Sequence, residues 1–358
     1  MTRLLLLLLL AVLQPAAAST LVVRSTADTA GSSCGASCTL RQAITVANGT
    51  AAADEIFFSI PGDGPLAITP ASSLPTITQP LTIDGYSQPG ALPNTLVSTD
   101  GSHASNAVIR VWLHPSDSSP TAPPIGLPVC ASNVTIRGLA ITGFGGRSIA
   151  FGQSDTLASC TGATNGVVAG NFLGLDPMGS IPAAQDSSVL IHLQASATVR
   201  IGGSAEADSN VMVGSIRPIQ VSDGASAQID GNLIGTDPVG TPTGTTDPDA
   251  KAILVGTTGT AAIGTQRPNL LVATGTGISV LNSANRVSIG PNRFVGAGLP
   301  VDLGNDGVTP NDLNDVDSGP NGLQNFPVLS LARRGADSLL VQGTVDRPTG
   351  STALTYTI

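Results

Sequence analysis

Val168-Ala169-Gly170-Asn171-Phe172-Leu173-Gly174, Ile229-Asp230-Gly231-Asn232-Leu233-Ile234-Gly235 and Ile289-Gly290-Pro291-Asn292-Arg293-Phe294-Val295-Gly296 are three copies of one pattern. Their asparagines stand 61 and 60 positions apart. The first two copies continue alike, through Asp176-Pro177 and Asp237-Pro238. A second motif repeats between them, with Ile201-Gly202 before Asn210 and Ile263-Gly264 before Asn269. A fixed period decides an architecture before any propensity does. Each period holds several apolar runs of four or five residues, such as Val189–Leu193, Ala252–Val255 and Gly277–Leu281, separated by Gly, Asn, Asp and Ser. Sixty residues divided among three coils gives ~20 per coil, the size of a parallel β-helix coil. Antiparallel hairpin signals are sparse, so the fold expected is all-β, a parallel β-helix.

Composition agrees. Charged residues are 11% of the 358-residue chain, with one lysine and two glutamates, and aromatics are 3%. Helical proteins need straight-chain charged residues on their solvent faces, whereas branched aliphatics stacked coil on coil need few aromatics. The repeated Asn171, Asn210, Asn232, Asn269 and Asn292 read as structural, tolerating the left-handed conformation in turns and bonding the backbone or a like Asn one coil away. Gly170, Gly231 and Gly290 fit the same corners. The net charge of −9, with scattered basic residues, argues against nucleic-acid binding and against docking on an anionic membrane.

Residues 1–18 read as a bacterial-type secretory signal. Arg3 is the basic start, Leu4 to Leu13 the apolar core and Ala16-Ala17-Ala18 the cleavage site, leaving Ser19 as the first mature residue. The apolar core is short of the ~20 residues that span a bilayer, and no later stretch is long enough. The expected location is therefore secreted or cell-surface, where disulfides are permitted. Of the three pairings of Cys34, Cys38, Cys130 and Cys160, the plainest is Cys34–Cys38 with Cys130–Cys160, and the other two stay open. Dispersed His103, His114 and His192 disfavour zinc.

The boundaries expected are a signal at 1–18, an N-terminal cap with first strands at 19–80, β-helix coils at 81–300 and an Asp/Asn-rich closing segment at 301–330. Residues 331–358 read as the start of an incomplete β-sandwich module, on a chain that ends as a fragment. Residues 86–128, rich in Pro and Ser, read as a long loop or an elaborated coil. Thr39 to Ala47 is the single helix expected, with Leu40, Ala43, Ile44 and Ala47 as its apolar stripe and Thr39 as its cap.

That helix also carries a resemblance. Leu21 to Thr29, then Cys34 and Cys38-Thr39-Leu40-Arg41-Gln42-Ala43, resembles the start of CSLREA-domain secreted proteins, whose hexapeptide is Cys-Ser-Leu-Arg-Glu-Ala. Thr39 and Gln42 depart from it. Ala53 to Phe58, Leu81 to Gly90 and Val301 to Asp312 look similar to the same family. The resemblance implies export and right-handed β-helix repeats, supplies no catalytic residues, and leaves open what Arg41 pairs with once Gln42 replaces Glu.

No catalytic set stands out. The chain has no Asp-Asp, Gly-His-Gly or Arg-Ile-Lys of polygalacturonase-like sites, and no Gly-x-Ser-x-Gly elbow. Lys251 reads as part of a solvated turn, and Asp176 and Asp237 read as turn residues. The one oxygen-rich constellation is Asp312-x-Asn314-Asp315-x-Asp317-x-Gly319, a candidate calcium loop that lacks the closing Glu of an EF-hand; calcium is not required by anything else. The function expected is a non-enzymatic adhesive or structural module with cell-surface glycans or surface proteins as partners. The alternative is a polysaccharide lyase or glycoside hydrolase whose acids meet only in three dimensions.

Overall fold

A computed structural model describes residues 17–97, 104–115, 123–157, 160, 162–182, 189–243, 245, 247–272, 275–281, 286–336 and 338–346. Three long sheets, each purely parallel, wind together as a β-solenoid. The first has nine strands, beginning with Thr20–Val23 and Asp54–Phe58 and ending at Val287–Ile289. The second has eight, from Leu66–Ile68 to Arg293–Val295, and the third has seven, from Ile125–Val129 to Leu299–Leu303. The chain visits the three sheets in turn, so strands adjacent in a sheet belong to successive coils.

Register explains the core. Leu21, Ile56, Ile83, Ile136, Val168, Ile201, Ile229, Ile263 and Ile289 are successive partners across the first sheet. Leu127, Ile149, Ile191, Ile219, Ile253, Ile278 and Val301 form the matching column in the third. Branched aliphatics repeated at the ~4.8 Å strand spacing stack on their own kind, which is why so few aromatics suffice.

The coil count departs from expectation. Val168, Ile201, Ile229, Ile263 and Ile289 are spaced 33, 28, 34 and 26 residues apart, so the 60-residue period holds two coils, not three. Long and short coils alternate. Each long coil carries, between its second and third strands, the extra turn that starts at Asp176 or Asp237. The motif therefore recurs at every second coil.

The described parts of residues 86–128 (86–97, 104–115 and 123–128) belong to an elaborated coil, not a bare loop. Val111–Leu113 enters the second sheet, Ile125–Val129 the third, and Leu92 bridges Val108. This excursion covers the second sheet's outer face. Ile109 packs there with Ala140, Phe172, Val211 and Leu233, with Tyr86 and Trp112 against them.

The helix spans Leu40–Ala47 and buries Leu40, Ala43, Ile44 and Ala47 in the main core. Thr39 caps it, and Gln42 completes a capping box by accepting from the Thr39 N–H at 3.0 Å. Arg41 instead makes a two-pronged ion pair with Asp28. Beyond the last coil, Val328–Arg334 and Leu339–Thr344 form an exposed antiparallel pair, and residues 347–358 lie outside the described residues. So do residues 1–16 of the expected signal. Among the described residues, no helix is long and apolar enough to cross a membrane.

Candidate functional site

The repeated polar residues are the natural place to look for chemistry, and most of them are occupied in holding coils together. Asn171 donates from Nδ2 to Asn210 Oδ1 at 3.0 Å, Asn210 to Asn232 at 2.9 Å, Asn232 to Asn269 at 3.0 Å and Asn269 to Asn292 at 2.8 Å. Each also donates to a main-chain carbonyl of the preceding coil, from Ile136 through Val168, Ile201 and Ile229 to Ile263. The left-handed backbone expected of these asparagines is found instead at the preceding residue, at Gly170 (φ 65°) and Gly231 (φ 66°). The ladder stops below Asn171, where the preceding coil has Leu139 in the asparagine's place and the Leu139 N–H donates to Asn171 Oδ1.

Asp176 and Asp237 cap identical turns. Asp176 Oδ1 accepts from the Met178 and Ser180 N–H groups, and Asp237 Oδ1 from those of Val239 and Thr241. Lys251 opens the strand Lys251–Val255 and donates to the Asp249 carbonyl.

A histidine and a serine one coil apart meet on the third sheet. His192 Nε2 lies 3.2 Å from Ser222 Oγ, and Arg147 Nε donates to His192 Nδ1 at 2.8 Å. Since an arginine only donates, Nδ1 holds the lone pair and Nε2 the proton. The imidazole therefore donates to Ser222 and cannot act as its base. Burial first, then the Arg147 charge, push the His192 pKa down to about 4, against a smaller opposing pull from Asp223; Gln153 also faces Nδ1. The pair was not legible in sequence because its members are 30 residues apart. An unfolded histidine titrates near 6.5, so the unfolded chain binds the extra proton first. Stability from this group is complete above pH 6.5 and is lost as pH falls toward 4, on the order of 3 kcal/mol at the acid limit. Urea unfolding from pH 7 to 4 should show a shallower decline in His192→Gln than in the natural chain.

In the acidic segment, carboxylate oxygens of Asp312, Asp315 and Asp317 all lie within 4.8 Å of one another. Asp312 Oδ1 and Asp317 Oδ1 are buried atoms without a hydrogen-bond partner. Desolvation, then the charges of Asp312 and Asp315, raise the Asp317 carboxyl above the usual carboxylate range. The Asn314 backbone N–H donates to Asp346 Oδ2. Asn325, outside the expected loop, is what shapes it. Its side chain accepts from the Asp312 N–H and donates to the Asp312 carbonyl, while its own N–H donates to Asp315 Oδ1.

The four cysteines form Cys34–Cys38 and Cys130–Cys160.

One sheet face remains open. On the third sheet, outward Ser148, Ala150, His192, Leu254 and Ser279 are buried. On the first sheet, two outward rows, Asn165–Thr198–Ser226–Thr260 and Val167–Arg200–Gln228–Ala262, are partly exposed or, at Asn165, exposed. A shallow groove of about 390 Å³ runs between Asn165, Thr198, Arg200 and Gln228.

The class these features define is a parallel β-solenoid with disulfides and an acidic closing loop. No family model matches the chain, and no curated protein matches it.

Proposed function

We propose that this is an exported, non-enzymatic adhesive or structural solenoid, wound right-handed, that contacts cell-surface glycans or surface proteins through the outer face of its first sheet. The observation that carries the reading is that open face: rows of Thr, Ser, Asn, Arg and Gln repeat at coil spacing, as a repeating polymer would meet them. Right-handed winding follows the handedness rule for parallel crossovers. The two disulfides and the resemblance to CSLREA-domain proteins support export. The direct test incubates the mature chain with acidic and neutral polysaccharides, reading retention on each and new reducing ends. Retention without cleavage is expected, with at least a tenfold loss on replacing both Arg200 and Gln228 by Ala, about 1.4 kcal/mol. New reducing ends that survive repurification would replace this reading with the polysaccharide-degrading one.

We further propose that Asp312, Asp315 and Asp317 take calcium, because two orphaned buried oxygens within a triad of carboxylates fit a hard cation. Millimolar calcium added to chelator-treated protein should raise Tm, and Asp315→Asn should remove the rise. An unchanged Tm in the natural chain would dismiss it.

A further inference from the structure

Asp54 is 1% exposed, yet among the described residues no Arg, Lys or His side chain lies within ion-pair distance of its carboxylate. Its Oδ2 accepts from Thr50 Oγ1 at 2.6 Å. Its Oδ1 accepts from the main-chain nitrogen of Ser19 at 2.7 Å. A buried carboxylate is costly unless a cation and hydrogen bonds compensate it, and a neutral amide supplies only a dipole. Ser19 directly precedes the first strand. Its carbonyl accepts from the Glu55 N–H at 2.9 Å, and Thr20–Val23 then pairs with Glu55–Phe58, while Ala17 and Ala18 are exposed and belong to no strand. The nitrogen facing Asp54 is therefore the one that hydrolysis of the exposed Ala18–Ser19 bond would free.

We infer that the mature chain begins at Ser19 and that its new α-ammonium is the missing partner of Asp54. A leader-removing peptidase adds one water across the Ala18–Ser19 peptide bond, leaving a carboxylate on Ala18 and an amine on Ser19. An α-amine of ordinary basicity takes up a proton at neutral pH. The amide–carboxylate contact then becomes an ion pair, with its cation at the protein surface and its anion inside. The first strand of the first sheet is thereby locked down only after processing. The carboxylate of Glu55, opposite Thr20, accepts from the Thr20 hydroxyl at 3.5 Å. This inference rests on the export reading, because an intact leader keeps the nitrogen as an amide.

The test has two arms. Intact-mass and N-terminal analysis of the secreted protein should give a start at Ser19. Retention in the cell of a chain that still carries Met1 would overturn export and the pair together, whereas secretion with any other start would overturn the pair alone. In the second arm, chains beginning at Ser19 and at Ala17 are compared by calorimetry at pH 6.5. The Ser19 form should melt roughly 4–8 °C higher. Asp54→Asn should erase that difference, since a neutral amide of the same shape gains nothing from the ammonium. Equal melting of the two natural-sequence chains would overturn the pairing, and that comparison holds even if the Asn variant does not fold. A third readout uses the single lysine. The α-amine at Ser19 should acylate at least fivefold more slowly in the folded chain than in urea, normalised to Lys251; equal rates would overturn the inference.

Discussion

Asn232→Asp should destabilise the solenoid by about 5 kcal/mol and lower Tm by roughly 10–20 °C, the largest effect expected of any single-atom change in this chain. Asn232 is fully buried. Its Nδ2 donates to the Ile201 and Asp230 carbonyls and to Asn269 Oδ1, at 3.0–3.1 Å. Its Oδ1 accepts from the Asn210 side chain at 2.9 Å. Exchanging that nitrogen for oxygen removes two N–H donors shared among three acceptors and turns an anionic oxygen toward those acceptors, with water excluded. A surviving hydrogen bond is worth about 1 kcal/mol net, while an orphaned buried acceptor costs about 1–3 kcal/mol, so the loss exceeds the bonds counted. The same change at Asn292, the half-buried last rung, should cost less than half as much, because Asn292 is itself partly exposed and its new charge loses less hydration. Thermal unfolding of the two variants side by side decides it. Equal losses would mean that the ladder adds nothing beyond ordinary turn bonding.

The ladder was legible because it repeats. Asparagines at matching places in every period imply a common job, and stacking in register tells which one. The number of coils was not legible. Asp176 and Asp237 mark the long coils, and Ile201-Gly202 before Asn210 repeats between them, but nothing there says that this motif belongs to a full coil of its own. That coil is recognised only when Ile201 is found paired with Val168 on one side and Ile229 on the other. The acidic loop was half legible. Asp312, Asp315 and Asp317 advertise themselves by spacing, whereas Asn325 acts from 10 and 13 residues downstream. Asp54 was invisible for another reason, since its partner is a main-chain nitrogen and carries no side-chain signature. Contacts between coils are regular in space but nearly random in sequence separation, so only those made by repeated residue types can be read in advance.

Loss of Cys130–Cys160, by pairing Cys130→Ala with Cys160→Ala, should cost about 3.5 kcal/mol, whereas the equivalent loss of Cys34–Cys38 should cost about 2 kcal/mol. The difference comes from the unfolded chain, where closing 30 residues removes more freedom than closing 4. Position strengthens the contrast. Cys130 directly follows the strand Ile125–Val129, and Cys160 comes after Arg147–Phe151, the next coil's strand in the same sheet, so the bridge ties two successive coils. Cys34–Cys38 closes a loop just ahead of the helix and joins no two coils. In a solenoid each coil touches only its neighbours, so the array melts from whichever interface opens most easily. The Cys130–Cys160 bridge acts at one such interface, between the coils of Ile125–Val129 and Arg147–Phe151. Calorimetry of the two double variants without reductant should therefore show a fall in Tm of roughly 7–14 °C for the first and about half that for the second. The reverse order would place the weakest interface at the helix-bearing end, with the short bridge as the principal tie.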